Sequence, residues 1–150
     1  MLPRRSILSV PGHMEKMHAK ALASEADAII FDLEDSVPLE AKKDARRQVI
    51  QTLETIGENT PHLSFRINAL DTPFGYRDLL EVVEAAGRRL GSVVVPKVNH
   101  PGDIHFVDRM IDGIGLAAPQ INVHSRVVIV RLGGGRAERE PGPPLAIVNP

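Results

Sequence analysis

Residues 26–36, ADAIIFDLEDS, decide the fold. Positions 26–33 form a nearly continuous apolar run. Such a run reads as a strand buried on both faces, the mark of a parallel sheet with helices packed over it. Glu34, Asp35 and Ser36 follow directly, so charge sits at the strand's C-terminal end. Pro38 then opens a helix predicted to continue to about Ile56.

The same alternation extends in both directions. Upstream, 6–10 is a short strand ended by the turn signal Pro11-Gly12, and 13–24 places Met14, Met17, Ala21 and Leu22 at helical spacing. Downstream, 63–68 (LSFRIN) is a third strand, followed by a helix entered at 71–73 and running through Ala86. Residues 92–98, SVVVPKV, form a fourth strand, and a fourth helix starts at 101–103 and runs to about Ile111. Strand, loop and helix recur with a spacing near 30 residues, which predicts repeated βα units on a parallel sheet. His13, Glu34, Asp35, Asn68 and Asp71 all fall just after strands, with Lys97 near the end of the fourth. In parallel α/β folds that edge binds ligands.

Composition removes several classes. A formal net charge of -1 gives no argument for nucleic acid or an anionic membrane as partner. No stretch is long enough to span a bilayer, and the N-terminal apolar run is cut too early by Pro11-Gly12 for a secretory signal. The expected location is cytoplasmic. Cysteine is absent, which excludes disulfides, thiolate chemistry and Cys-ligated zinc. His18, His62, His100, His105 and His124 show no metal-ligand spacing.

Taken singly, the polar residues have structural readings. Arg66 ends a strand as an ion-pair partner would, Glu34-Asp35 could be a charge cluster at a helix N-terminus, Lys97 could pair with either acid, and His13 could be a solvated loop residue. Together, RSILSVPG, ADAIIFDLEDSVP, RINALDTPFG and VVVPKV, in that order over about residues 5–114, resemble the first half of the citrate lyase beta-subunit-like family. This is the wider group of malyl-CoA lyases and HpcH/HpaI-type aldolases. The resemblance implies a (β/α)8 barrel, here a partial one of four βα units.

It also implies magnesium-assisted (Mg2+) carbon–carbon lyase or aldolase chemistry on acyl-CoA thioesters or on oxo and hydroxy acids. Cleaving a β-hydroxy acid leaves an enolate, whose charge a cation and a fixed guanidinium can stabilise. The resemblance marks Arg66, Glu34 and Asp35 as catalytic positions, Arg66 gripping a carboxylate or enolate oxygen. It marks Pro11, Gly12, His13, Asn68, Asp71 and Lys97 as substrate-binding positions, the first loop lying near coenzyme A or substrate phosphates. The family's magnesium ligands, a glutamate and an aspartate, follow strands five and six. Glu138 and Glu140 lack that context, so no metal ligand is assigned in this chain.

The texture changes after Asp112. Residues 113–120, GIGLAAPQ, are small and apolar; 126–132 is a β-branched strand, 133–144 a Gly- and Pro-rich loop, and 145–148 a short strand. Strand, loop and strand without a crossover helix predict antiparallel pairing in place of a continued βα repeat. This stretch resembles the opening motif of peptide deformylase, carried by Gly113, Gly115, Leu116, Ala117, Ala118 and Gln120 and followed by PLAIVNP. In that family the glutamine stabilises an oxyanion. A deformylase also needs a cysteine ligand and an HExxH helix, and neither is present.

The resulting expectation is a chimera: residues 1–112 a half barrel, 113–150 a deformylase-like β segment, joined near 112–115. The leading function is a magnesium-dependent C–C lyase inactive alone; the alternative is a non-catalytic fragment binding CoA or a carboxylate, and deformylase ranks third. An apolar inner face of Ile7, Ile29, Phe31, Phe65 and Val94 is expected to drive homo-oligomerisation.

Overall fold

The computed structural model describes residues 5–57, 59–117 and 126–129. Five strands, β1 (Ile7–Pro11), β2 (Ala28–Asp32), β3 (His62–Arg66), β4 (Ser92–Val95) and β5 (Arg126–Ile129), lie in one sheet in chain order. Every neighbouring pair is parallel. The connections hold α1 (Glu15–Leu22), α2 (Lys42–Thr55), α3 (Gly75–Ala86) and α4 (Pro101–Ala117). The architecture is thus α/β with four βα units and a following strand, consistent with part of a (β/α)8 barrel.

Each helix forms because its apolar residues return every three or four positions. Ala45, Val49 and Leu53 of α2 and Leu79, Val82, Val83 and Ala86 of α3 make buried stripes. Gly75 at the start of α3 is required by close approach: an added Cβ would lie 2.7 Å from the carbonyl oxygens of both Asn68 and Ala69.

The strand register separates two faces. Val10 pairs with Phe31, Phe31 with Phe65 and Phe65 with Val93, and these residues join the core formed with the α2 and α3 stripes. The opposite face carries Asp32 beside Arg66 beside Val94, and lower down Ser64 beside Ser92. There the Ser64 and Ser92 hydroxyls meet at 2.6 Å, and His62 Nε2 lies 2.9 Å from Ser92 Oγ. The single apolar inner face expected from the sequence is therefore corrected. Ile29, Phe31 and Phe65 face the helices, whereas Ile7, which pairs with Ala28, and Val94, which pairs with Arg66, lie on the other side. The period of two sends neighbouring positions to opposite faces, and only the register shows which residues of different strands share one.

The tail also differs from expectation. Helix α4 continues through Ala117, so Gly113 and Gly115 are helical and α4 crosses positions 112–115 unbroken. Val107, Ile111 and Ile114 form one buried stripe. That burial outweighs the cost of about 1 kcal/mol for a glycine inside a helix. The 17-residue α4 is a crossover, so β5 returns parallel to β4 and continues the βα repeat. Residues 130–150, with the expected loop and final strand, lie outside the described residues. Among the described residues no helix is long and apolar enough to cross a membrane.

Candidate carboxylate-binding site

The site forms where β2, β3 and β4 end. Asp32 and Arg66 are the last residues of β2 and β3 and stand opposite one another in the register. Arg66 donates from Nε to Asp32 Oδ1 and from Nη2 to Asp32 Oδ2, both at 2.7 Å. This is a two-pronged pair, in which the planar guanidinium matches a planar carboxylate. The Asp32 oxygens also accept the backbone N–H of Glu34 at 2.8 Å and of Ser36 at 3.1 Å. Burial pushes the Asp32 carboxyl upward, but the donors from Arg66, Ser36 and Glu34 outweigh it and hold the group at about 2.

The other edge of Arg66 faces the acidic pair. Nη1 stands 3.4 Å from Glu34 Oε2 and 3.9 Å from Asp35 Oδ2. Lys97 closes the cluster, its Nζ 2.9 Å from Glu34 Oε1 and 3.5 Å from Asp35 Oδ1. The first of these distances is an ion pair whose angle leaves Oε1 without an aligned hydrogen bond. Lys97 has a φ of 50°, the left-handed region that non-glycine residues seldom occupy. Its ammonium is held charged above the ordinary lysine range by Glu34 first and then Asp35. Beneath them, buried Lys42 donates to the carbonyl oxygens of Leu33 at 2.8 Å and Glu34 at 2.5 Å, which fixes the β2–α2 loop. Three carboxylates thus sit among three cations, and the formal charges cancel.

The structure brings Arg66, Glu34, Asp35 and Lys97 together. Pro11 and Gly12 lie alongside, since Gly12 N–H donates to the Asp32 carbonyl at 2.7 Å. His13, on the same loop, is half-buried, with Nδ1 shielded and unpartnered. Asn68 and Asp71 do not join. Asn68 is buried and donates from Nδ2 to Leu33 O at 2.8 Å and to Asp78 Oδ2 at 2.6 Å, tying β2 and β3 to α3. Asp71 is exposed, and no ion pair among the described residues reaches it. Of the deformylase-like motif, Gly113, Gly115 and Leu116 belong to α4, and Gln120 lies outside the described residues.

The buried Lys42 and Arg46, and three further buried groups, were missed in the sequence. Asp32 is the partner of Arg66, and an acid inside an apolar strand, two positions before Glu34 and so on the same face, was its signal. Asp78 accepts from Arg46 Nε at 2.9 Å as well as from Asn68; burial pushes its carboxyl up despite these partners. His18 joins the first loop to α2. Neither Asp78 nor His18 carries a local signal, because their partners lie on other elements.

Magnesium, which the sequence resemblance implies, does not fit these residues. Among the described residues no group of three or more histidine or acidic side chains is arranged to hold a metal ion. Asp32 is committed to Arg66, while Glu34 and Asp35 face Arg66 and Lys97. Magnesium requires an octahedron of oxygens.

A parallel βα fold with an ion-paired cluster of Asp32, Glu34, Asp35, Arg66 and Lys97 at its C-terminal strand edge defines the class: an α/β protein of barrel type. The chain belongs to the HpcH/HpaI aldolase/citrate lyase family, whose model matches residues 5–130. It is 38% identical over 138 residues to L-malyl-CoA/beta-methylmalyl-CoA lyase of Cereibacter sphaeroides, covering 92% of this chain and 43% of the relative. Both matched spans extend past the boundary expected at 112–115. Among solved structures, the citrate lyase beta subunit of M. tuberculosis complexed with oxaloacetate and magnesium superposes with a TM-score of 0.59 at 26% identity. That match covers 84% of this chain and 48% of the other. Malate synthase of Haloferax volcanii shares the fold, with a TM-score of 0.72 at 16% identity over 83% of this chain and 41% of that one. The chain spans less than half the length of these relatives.

Proposed function

We propose that these residues form the carboxylate-gripping part of a carbon–carbon lyase site for malyl-CoA-type thioesters. The observation that carries the reading is the two-pronged Asp32–Arg66 pair. It occupies Nε and one Nη2 hydrogen of Arg66 and leaves the Nη1 hydrogens and the second Nη2 hydrogen at the strand edge. Cleavage of a β-hydroxyacyl thioester yields an oxo acid and a thioester enolate, and this preset donor edge is suited to the oxyanion of either. Glu34 and Asp35 are balanced by Lys97 beside them and Lys42 beneath, so an incoming carboxylate competes with Glu34 and Asp35 for Arg66 and Lys97. Coenzyme A would pass the first loop, at Pro11, Gly12 and His13. A cytoplasmic location and self-association through β1, whose Ile7 is 61% exposed, belong to the same proposal.

Magnesium in such a site would take its ligands from outside the described residues. The work assigned to these residues is binding and orientation, and none of it needs the ion. A second reading, binding without turnover, is favoured by the pairing of the cluster's acids with cations.

Calorimetric titration with glyoxylate and oxaloacetate tests the site. Arg66→Lys should weaken binding by about tenfold, since a point charge replaces the fork, and Arg66→Ala should abolish it. Unchanged affinity in Arg66→Ala would overturn the assignment. Release of acetyl-CoA from malyl-CoA by the purified chain would establish turnover, whereas oxo-acid binding without release would favour the binding-only reading.

A further inference from the structure

We propose that His18 is a positioning residue that holds the first loop, residues 11–14, against α2 through one imidazole proton on Nε2. His18 is 1% exposed, and neither the paired cluster nor the apolar core accounts for a buried imidazole there. Its Nε2 lies 3.0 Å from the Pro11 carbonyl oxygen and its Nδ1 2.8 Å from Thr52 Oγ1. A carbonyl only accepts, so Nε2 must carry the proton. Burial of the ring lowers its pKa although the Pro11 carbonyl opposes the shift, so the ring is neutral and Nδ1 is an acceptor. The Thr52 hydroxyl then has one proton for two acceptors, Nδ1 and the Gln48 carbonyl 2.9 Å away. The hydroxyl proton is shared between Nδ1 and the Gln48 carbonyl, whose second lone pair serves the α2 backbone ladder. Phe31 fixes the ring plane edge-on, with centroids 4.7 Å apart.

The loop has few other ties. Met14 N–H donates to the same Pro11 carbonyl at 3.1 Å, and Gly12 N–H donates to the Asp32 carbonyl at 2.7 Å. Gly12 is packed without space: an added Cβ would lie 2.8 Å from Leu33 Cδ2 and 3.1 Å from Val49 Cγ2. His18 therefore sets the loop one peptide away from Asp32, the residue that orients Arg66. A hydrophobic side chain could fill the same space, but it could not hold the Pro11 carbonyl.

Two amide side chains separate positioning from filling. Glutamine places its terminal group near the Nε2 position and asparagine near Nδ1. His18→Gln should keep amide hydrogen-exchange protection of Gly12 close to wild type. His18→Asn should lower it roughly five- to tenfold, the worth of one neutral hydrogen bond, with Val49 and Leu53 in α2 unchanged. Equal protection in the two variants, or an equal loss spread over α1 and α2, would overturn the proposal. Nitrogen-15 shifts of the His18 ring should show the Nε2–H tautomer, and an Nδ1–H tautomer would also overturn it. Coenzyme A titration tests the reading on which the loop's role in binding rests. If His18→Asn loosens Gly12 yet leaves coenzyme A affinity unchanged, His18 positions the loop and the placement of coenzyme A there is wrong.

Discussion

Asp32 and Arg66 lie 34 residues apart in the chain and side by side in the sheet, joined by two hydrogen bonds of 2.7 Å. The pair is buried, with the aspartate 1% and the arginine 8% exposed. A pair so placed is costly to break from one side.

Asp32→Asn should therefore destabilise the chain by about 3 kcal/mol, because a buried guanidinium loses its nearest counter-charge and keeps only the more distant Glu34 and Asp35. Joining it to Arg66→Met should recover part of that loss. Urea denaturation measures both, and a single-variant loss below about 1 kcal/mol would mean that solvent screens the pair.

Acid should act through two groups in different pH windows. The folded Asp32 pKa is depressed to about 2 from 3.8, so its contribution is complete above 3.8 and is lost as pH falls toward 2. Its size is roughly 2 kcal/mol by proton linkage. His18 is also depressed, from 6.5, by burial. The unfolded chain then binds the proton first, so stability begins to fall as pH drops below 6.5. In His18→Gln this upper part of the acid profile should flatten while the Asp32 part stays. Parallel profiles for wild type and variant between pH 6.5 and 5 would contradict the assignment.

Lys97 separates strain from charge. Its φ of 50° suits glycine, and its ammonium balances Glu34. Lys97→Gly and Lys97→Ala lose the same charge, but only the first relieves the backbone. The glycine variant should be more stable than the alanine variant by about 1 kcal/mol. Both should bind oxaloacetate more weakly than wild type. Equal melting temperatures for the two would argue against a strained backbone at this position.

Gly12→Ala tests how tightly the first loop is packed. The added methyl would meet Leu33 Cδ2 at 2.8 Å and the Asp32 carbonyl oxygen at 2.9 Å. The side chain can move and the backbone cannot, so a loss of about 1–3 kcal/mol is expected in thermal unfolding.

The sequence by itself determined the elements and their order. The apolar run 26–33, the turn at Pro11-Gly12 and the 3.6-residue stripes of α2 and α3 are local patterns, each written within one segment. Because strands in a parallel sheet all point one way, the same patterns placed Glu34, Asp35, Arg66 and Lys97 at one edge. Only the tertiary structure decided which of them meet. Arg66 takes Asp32 as its close partner, with Glu34 and Asp35 farther off, because the register sets Asp32 opposite Arg66. Asn68 turns to Asp78 because α3 carries that buried carboxylate beneath it. The glycines at 113 and 115 read as a break, but Ile114 continues a buried stripe and keeps α4 helical, which lets β5 return parallel. Periodicity is a property of one segment, whereas register and burial are set by neighbours tens of residues away.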